Sequence, residues 1–181
     1  MKYILSFMIF FAAATASISA YANNAVAVGD TIPAITQIHD QDGKPQSFDS
    51  LKDDKGLVLV FVRSLEWCPY CQKQALSINS YRSDFQDAGY NVAIVSYDTT
   101  EKTKLFDNRH DIEIPLLSDL NSELIRAFGI LDTTQSEGSR TYGIPQPTIF
   151  VVNADGVVTS RLAEEGYKNR PGIEDVLAAL K

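Results

Sequence analysis

Residues 57–71, with the sequence LVLVFVRSLEWCPYC, join a continuous apolar run to two cysteines three positions apart. The apolar run 57–62 predicts a buried strand, and the proline that follows the first cysteine is favoured at the first position of a helix. If Cys68 caps that helix, Cys68 and Cys71 both lie on its first turn, where their sulfurs can form a disulfide. The helix dipole and the unpaired N–H groups lower the pKa of the outer thiol. The pattern therefore favours Cys68 as the nucleophile and Cys71 as the resolving cysteine.

A purely structural disulfide is the alternative interpretation of this pair. A bridge that closes about four residues gains on the order of 2 kcal/mol, whereas longer loops gain roughly 3 to 5 kcal/mol. Such a short bridge is a poor staple, so we favour a redox role. Arg63 is a candidate to stabilise the thiolate and Glu66 a candidate to oppose it, and the alternative for both is an ordinary surface pair. Trp67 and Tyr70 are candidates for an apolar contact face, and Pro69 with Tyr70 influences the reduction potential.

The N-terminal segment has the composition of a secretory signal peptide, with Lys2, an apolar run and small residues ending at Ala22. We expect residues 1–22 to be removed by cleavage after Ala22, which places the protein in the periplasm or outside the cell, without stable membrane insertion. Residues 23–181 then form a single domain. The formal net charge of −7, without basic runs, argues against nucleic acid as a partner.

Strand and helix patterns alternate along the rest of the chain. Asp42-Gly43 predicts a hairpin turn, and Gly89 is the expected cap of a helix that runs from the cysteines to Asp87. The other expected elements are strands at 34–38, 92–95, 114–117, 148–152 and 157–161, helices at 100–110, 122–128 and 173–180, and a loop at 131–142.

This order of elements around Trp-Cys-Pro-Tyr-Cys resembles the thioredoxin superfamily over nearly the whole mature chain. Three further motifs resemble its peroxiredoxin-like branch, the alkyl hydroperoxide reductase and thiol-specific antioxidant proteins with a redoxin domain. They are Val28-Gly29-Asp30 with Pro33, Val95-Ser96-Tyr97-Asp98, and Leu117-Ser118-Asp119. The resemblance implies an α/β class protein with the thioredoxin fold, a central mixed β-sheet flanked by helices in a single domain.

The resemblance also implies a cis-proline beside the cysteines, and Pro147 occupies the matching place before a strand. Gln146, Pro147 and Thr148 are then expected to form a substrate groove in which the backbone around Gln146 pairs with an extended partner. Peroxiredoxins have a proline seven residues and a threonine three residues before the reactive cysteine, plus a distant arginine. Those places hold Phe61, Leu65 and Pro147, with Arg63 or Ser64 as possible substitutes.

Three functions remain open from the sequence. The main hypothesis is an exported thiol–disulfide oxidoreductase with antioxidant-type chemistry, which exchanges with protein thiols and disulfides or an external reductant. The alternatives are a thiol peroxidase that reduces hydroperoxides through a Cys68 sulfenic acid, and a non-enzymatic Cu(I)-binding or interaction module. No cofactor or metal is expected, since His39 and His110 have no sequence link to the cysteines.

Overall fold

Seven strands form one mixed sheet in the computed structural model, which describes residues 25–36 and 38–181. The strands are β1 (Ile38–His39), β2 (Pro45–Gln46), β3 (Gly56–Phe61), β4 (Tyr90–Ser96), β5 (Leu116–Ser118), β6 (Thr148–Asn153) and β7 (Val158–Leu162). The helices are α1 (Phe48–Leu51), α2 (Pro69–Ser80), α3 (Arg82–Asp87), α4 (Thr100–His110), α5 (Glu123–Ala127) and α6 (Ile173–Ala178). The expected signal peptide, residues 1–22, lies outside the described residues and stays a prediction.

Strand β3 lies in the interior of the sheet, whose order is β2-β1-β5-β4-β3-β6-β7. It runs parallel to β4 and antiparallel to β6. All six of its residues are buried, because apolar clusters cover both faces of the sheet. A strand buried on both sides needs a continuous apolar sequence, which explains the uninterrupted run at this point. The predicted central mixed sheet with flanking helices in a single domain is confirmed.

The predicted elements are found with shifted ends. The hairpin at Asp42-Gly43 is confirmed, because the Asp40 carboxylate accepts hydrogen bonds from the N–H groups of Asp42 and Lys44, both at 2.9 Å. The helix expected from the cysteines to Asp87 is interrupted at Tyr81 and forms α2 and α3. Of the strand expected at 34–38, the described residues 34–36 are not in a strand, and β1 begins at Ile38.

Within the part of the chain that the structure describes, no helix is both long enough and apolar enough to cross a membrane.

Candidate active site

Cys68 and Cys71 form a disulfide at the start of α2, at the end of the loop that leaves β3. Cys68 is the N-cap residue, and its Sγ accepts a hydrogen bond from the Cys71 N–H at 3.3 Å. Pro69 occupies the first helical position, where a missing N–H has no cost. The predicted start of the helix is therefore confirmed. Cys68 Sγ lies at the positive end of the helix, where a thiolate is stabilised.

Both sulfurs are covered in this disulfide-bonded state. Cys68 is 2% exposed and Cys71 is fully buried in the apolar cluster beneath the sheet. Pro69 and Tyr70, which lie between them, are both exposed, Tyr70 at 39%. Its ring meets the ring of Tyr167 edge to face, with centroids 6.2 Å apart. The residues between the cysteines therefore face solvent, whereas the reactive atoms do not.

The loop before Cys68 is fixed by a buried carboxylate at the end of β4. Asp98 accepts hydrogen bonds from the Leu65 N–H at 2.6 Å, from Ser64 Oγ at 2.7 Å and from Ser96 Oγ at 3.0 Å. The Ser64 hydroxyl in turn accepts from the N–H groups of Glu66 and Trp67. Asp98 thus positions the backbone that leads to the nucleophile. The sequence contained it in the motif Val95-Ser96-Tyr97-Asp98, without indicating this role.

Trp67 connects the cysteine loop to the loop at 131–142. Its Nε1–H donates to the Tyr97 hydroxyl at 2.9 Å, and that hydroxyl donates to the Arg140 carbonyl at 2.8 Å. Trp67 is only partly buried. The 131–142 loop is therefore linked through Tyr97 to the residue that precedes Cys68, a connection that its sequence did not reveal.

Arg63 lies between two aromatic rings and contacts neither sulfur. Its guanidinium carbon is 5.1 Å from the Trp67 ring centroid and 4.7 Å from that of Tyr167. Its buried Nε has no hydrogen-bond partner among the described residues. Glu66 forms an ion pair with Lys102 at 2.8 Å, and this hydrogen bond raises the pKa of Lys102. The surface-charge interpretation therefore fits Glu66.

Arg170 is the basic residue that reaches the pair, and no sequence pattern indicated it. Its Nη2 lies 3.4 Å from Cys71 Sγ, and its Nε donates to Gln74 Oε1 at 2.9 Å. Burial lowers the pKa of Arg170, and the nearby charge of Arg63 adds to the effect. The contact joins residues 99 positions apart through a loop without periodicity, so no local pattern could have indicated it.

The predicted groove residues lie near Arg63, and the expectation of a cis-proline among them is wrong. Gln146, Pro147 and Thr148 line a cavity of about 660 Å³ together with Arg63 and Tyr167, and neither cysteine lines it. All peptide bonds in the described residues are trans, so Pro147 is not a cis-proline. The Gln146 N–H donates to the Ile130 carbonyl at 2.7 Å, and proline has no N–H, so these two residues offer no free backbone donor to a partner strand.

Comparison with known proteins decides the family. A sequence model described as the AhpC/TSA family matches residues 28–161. The chain belongs to the AhpC/TSA family. It is 36% identical over 131 residues to a putative peroxiredoxin of Mycobacterium tuberculosis, which covers 72% of this chain and 80% of the relative. It is 26% identical over 121 residues to the thiol–disulfide oxidoreductase ResA of Bacillus thuringiensis, covering 66% and 62%.

Solved structures support the same placement. The crystal structure of peroxidoxin BcpB from Mycobacterium tuberculosis superposes with a TM-score of 0.73 at 25% identity, covering 86% of this chain and 96% of that one. A peroxiredoxin-like protein from Aquifex aeolicus, at 21% identity and the same TM-score of 0.73, shows the fold alone. The predicted thioredoxin fold of the peroxiredoxin-like branch is therefore confirmed.

Within this AhpC/TSA domain, the expectation of an oxidoreductase enzyme is confirmed, because its relatives are peroxiredoxins and thiol–disulfide oxidoreductases. The family match ends at residue 161, so the loop that carries Arg170 lies beyond it. Phe61 and Leu65, at the two places where peroxiredoxins have proline and threonine, are both buried apolar residues. Ser64, a suggested substitute, uses its hydroxyl in the Asp98 network.

Proposed function

We propose that this AhpC/TSA protein is an exported thiol–disulfide oxidoreductase, in which Cys68 attacks and Cys71 resolves. The observation that carries the proposal is the position of Cys68 Sγ at the helix N-cap, bonded to Cys71 within one turn. A sulfur at this position is a stabilised thiolate and therefore the better nucleophile and leaving group at neutral pH. The similarity to ResA supports exchange chemistry, and the N-terminal composition supports export.

Exchange proceeds through two thiol substitutions. The Cys68 thiolate attacks one sulfur of a partner disulfide, forms a mixed disulfide and releases the first partner thiolate. The Cys71 thiolate then attacks Cys68 Sγ, forms the intramolecular disulfide and releases the second partner thiolate. The protein loses two electrons and the partner gains them. The same steps in reverse oxidise a partner dithiol.

Access to the sulfurs requires the segment at 163–172 to move. In the disulfide-bonded state this segment covers the pair through Tyr167 against Tyr70 and through Arg170 against Cys71. Because Cys68 is almost completely buried, we expect a partner sulfur to reach it when the contact of Tyr167 with Tyr70 opens, while the contact of Arg170 with Cys71 stays in place. A partner polypeptide can open the aromatic contact more effectively than a small molecule, since it can replace that contact with its own side chains.

Peroxide reduction is the second candidate, and the putative peroxiredoxin that is 36% identical favours it. In that reaction the Cys68 thiolate attacks a hydroperoxide, becomes a sulfenic acid and releases an alcohol or water. Cys71 then condenses with the sulfenic acid, forms the disulfide and releases water. Phe61 and Leu65 provide no polar group to hold the peroxide, which places this reaction second.

One kinetic experiment distinguishes the two candidates. Fully reduced protein is mixed with hydrogen peroxide or with oxidised glutathione, and the fluorescence of Trp67, the only tryptophan of the sequence, reports disulfide formation. Rapid exchange with slow peroxide oxidation is the expected result. Peroxide oxidation faster than that of a free thiol of equal pKa, abolished in Cys68→Ser, would instead identify a peroxidase.

Partner capture tests both the exchange mechanism and the export. In Cys71→Ala the resolving step is missing, so mixed disulfides through Cys68 accumulate in cells. We expect covalent adducts in the periplasmic or secreted fraction, carried by a protein whose N-terminus is Asn23. Adducts found with Cys71→Ala and equally with Cys68→Ala would contradict Cys68 as the attacking residue. An uncleaved N-terminus in the cytosolic fraction would contradict export.

A further inference from the structure

Each sulfur of the disulfide has its own donor, and the two donors come from different parts of the chain. Cys68 Sγ accepts from the first turn of α2, as the N-cap position requires. Cys71 Sγ faces inward and receives nothing from the helix N-terminus. Its partner is Nη2 of Arg170, at 3.4 Å, from the segment between β7 and α6. The sulfur of Cys71 therefore lies next to a positively charged group, the Arg170 guanidinium.

Three hydrogen bonds fix the Arg170 guanidinium in this place. Its Nη1 donates to the carbonyl groups of Tyr167 at 2.7 Å and Asn169 at 2.6 Å, and its Nε donates to Gln74 Oε1 at 2.9 Å. Gln74 is itself 8% exposed and lies three residues after Cys71, on the same side of α2. With three donors occupied, Nη2 is left directed at the sulfur. A planar guanidinium held on several sides loses little entropy in making that contact.

The other charges near the pair do not replace Arg170. Among the described residues, no other charged side chain hydrogen-bonds either sulfur. Arg63 lies against the rings of Trp67 and Tyr167, and Glu66 is paired with Lys102. Asp98 is bonded to the loop before Cys68, and Lys73, Glu164 and Lys168 line a solvent-accessible cavity together with Arg170. Glu165 lies in the same segment as Arg170, and Arg140 lies against the Trp67 ring.

The geometry points to Arg170 as a further catalytic residue, which stabilises the sulfur of Cys71 as a thiolate whenever the disulfide opens. This inference rests on the proposed exchange function. It assigns a residue to the steps in which Cys71 is the leaving group or the attacking thiolate. When an external thiolate attacks Cys68 Sγ, a new S–S bond forms there, the bond to Cys71 breaks, and its electron pair goes to Cys71 Sγ beside Arg170. In the opposite direction, the same charge keeps Cys71 deprotonated for the resolving attack.

The test measures the Cys71 thiol directly in a Cys68→Ser background. Ultraviolet thiolate absorbance is followed against pH for this protein and for its Arg170→Gln, Arg170→Lys and Lys168→Gln derivatives. An opposite charge at this distance lowers a pKa by about 1 to 3 units. We expect Arg170→Gln to raise the Cys71 pKa by about one unit or more, which reduces the thiolate at neutral pH about tenfold.

Two variants separate charge from structural damage. Arg170→Lys keeps the charge and should retain part of the effect, whereas Lys168→Gln removes a charge from the same segment without touching sulfur and should leave the Cys71 pKa unchanged. Gln74→Met removes the acceptor that orients the guanidinium, and we expect a smaller rise. Equal Cys71 pKa values in Arg170→Gln and Lys168→Gln would overturn the inference.

Failure of this inference is distinguishable from failure of the proposed function, because the thiol titration needs no disulfide substrate. In the otherwise unaltered protein, Arg170→Gln should also slow the attack of a small thiol on the disulfide severalfold, since the leaving thiolate is less stable. An unchanged rate with an unchanged Cys71 pKa removes Arg170 from the reaction and leaves exchange through Cys68 intact. A raised Cys71 pKa in a protein that exchanges with no disulfide supports the inference and overturns the function.

Discussion

At the scale of single residues, Asp98 determines where the nucleophile lies. Its buried carboxylate receives three hydrogen bonds, two of them from the loop that leads from β3 to Cys68. A buried carboxylate is tolerated only when its oxygens are paired with donors. Removing it would leave the Leu65 N–H and two hydroxyls without a partner in the core, and unpaired buried donors are expensive.

We expect Asp98→Ala to lower the free energy of unfolding by about 3 kcal/mol, since several donors lose their charged acceptor. The exposed Asp54 provides the control, because Asp54→Ala should change stability by less than about 0.5 kcal/mol. Denaturant unfolding of the oxidised proteins, monitored by Trp67 fluorescence, measures both. Equal stability of the two variants would show that the network does not hold the loop.

Site residues with contacts close in the sequence were predicted, whereas a site residue with a contact distant in the sequence was not. Cys68 and Pro69 were placed correctly because N-capping depends on neighbours within one turn. Arg170 was missed because its contact to Cys71 depends on how the segment after β7 folds back. Pro147 was expected to be cis only by resemblance to the superfamily, and the trans bond found here shows that a shared position does not fix a backbone isomer.

At the scale of elements, α5 begins with an unusual cap. Ser122, the residue before the helix, has a left-handed backbone with φ 56° and makes no side-chain cap. The Asp119 carboxylate takes its place and accepts from the N–H groups of Leu124 at 3.2 Å and Ile125 at 2.8 Å. Burial raises the pKa of Asp119, although these donors oppose the effect.

The raised pKa of Asp119 predicts a direction for the pH dependence of stability. Between the ordinary and the folded pKa, the folded protein holds a proton that the unfolded chain has lost, so stability falls as pH rises through that window. Asparagine stays neutral, so wild type should lose stability relative to Asp119→Asn as pH rises from about 4 to about 7. Denaturant unfolding at several pH values gives this difference.

Asp42 supplies a control of opposite sign. Its hydrogen bond to Lys104 lowers the pKa of Asp42, so its contribution to stability is present above its ordinary pKa and is lost as pH falls. The difference between wild type and Asp42→Asn should therefore grow with rising pH. The same sign of change for both positions would contradict the assignment for Asp119.

The segment at 163–172 is the element that controls access to the disulfide. Tyr167 contacts both Tyr70 and Arg63, so Tyr167→Ala removes the aromatic part of the cover. We expect the variant disulfide to be reduced faster by a water-soluble phosphine, because the sulfurs become exposed more often. Tyr81→Ala removes an exposed tyrosine between α2 and α3 and serves as the control. Equal reduction rates in both variants would show that the segment does not limit access.

The elements predicted best from the sequence are those whose surroundings are uniform along their length. Strand β3 is buried on both faces, and its apolar run predicted both ends of the strand to within one residue. Helix α4 was predicted at 100–110 and has these ends in the structure, where Thr99 caps it. The break at Tyr81 and the shortness of β1 depend on packing against other elements, which a local pattern does not contain.

At the scale of the whole molecule, folding and disulfide formation are coupled. A protein can be folded or unfolded and oxidised or reduced, and the four states form a closed thermodynamic cycle. Two differences in this cycle are therefore equal. The first is the unfolding free energy of the oxidised protein minus that of the reduced protein. The second is the free energy of reducing the disulfide in the folded chain minus that in the unfolded chain. Stability measurements can thus determine whether the fold favours the open or the closed pair.

The structure predicts that the fold favours the open pair. The bridge itself restricts the unfolded chain by only on the order of 2 kcal/mol, because its loop is so short. Against this, the helix N-terminus stabilises the Cys68 thiolate and Arg170 stabilises that of Cys71. Each pKa unit of such stabilisation is worth about 1.4 kcal/mol once both thiols are ionised. At about pH 9, where thiols of ordinary pKa are largely ionised, two such contributions of one to three units exceed the gain from the bridge.

We therefore expect the reduced protein to be more stable to denaturant than the oxidised protein at about pH 9, with a smaller difference at about pH 6, where the unfolded thiols keep their protons. Unfolding of both forms, with a Cys68→Ser, Cys71→Ser double variant as reference, measures the difference. Arg170→Gln should decrease it. An oxidised form that is more stable by about 2 kcal/mol would identify the bridge as a structural disulfide. A more stable reduced form means that the folded disulfide is readily reduced and therefore oxidises the thiols of its partners.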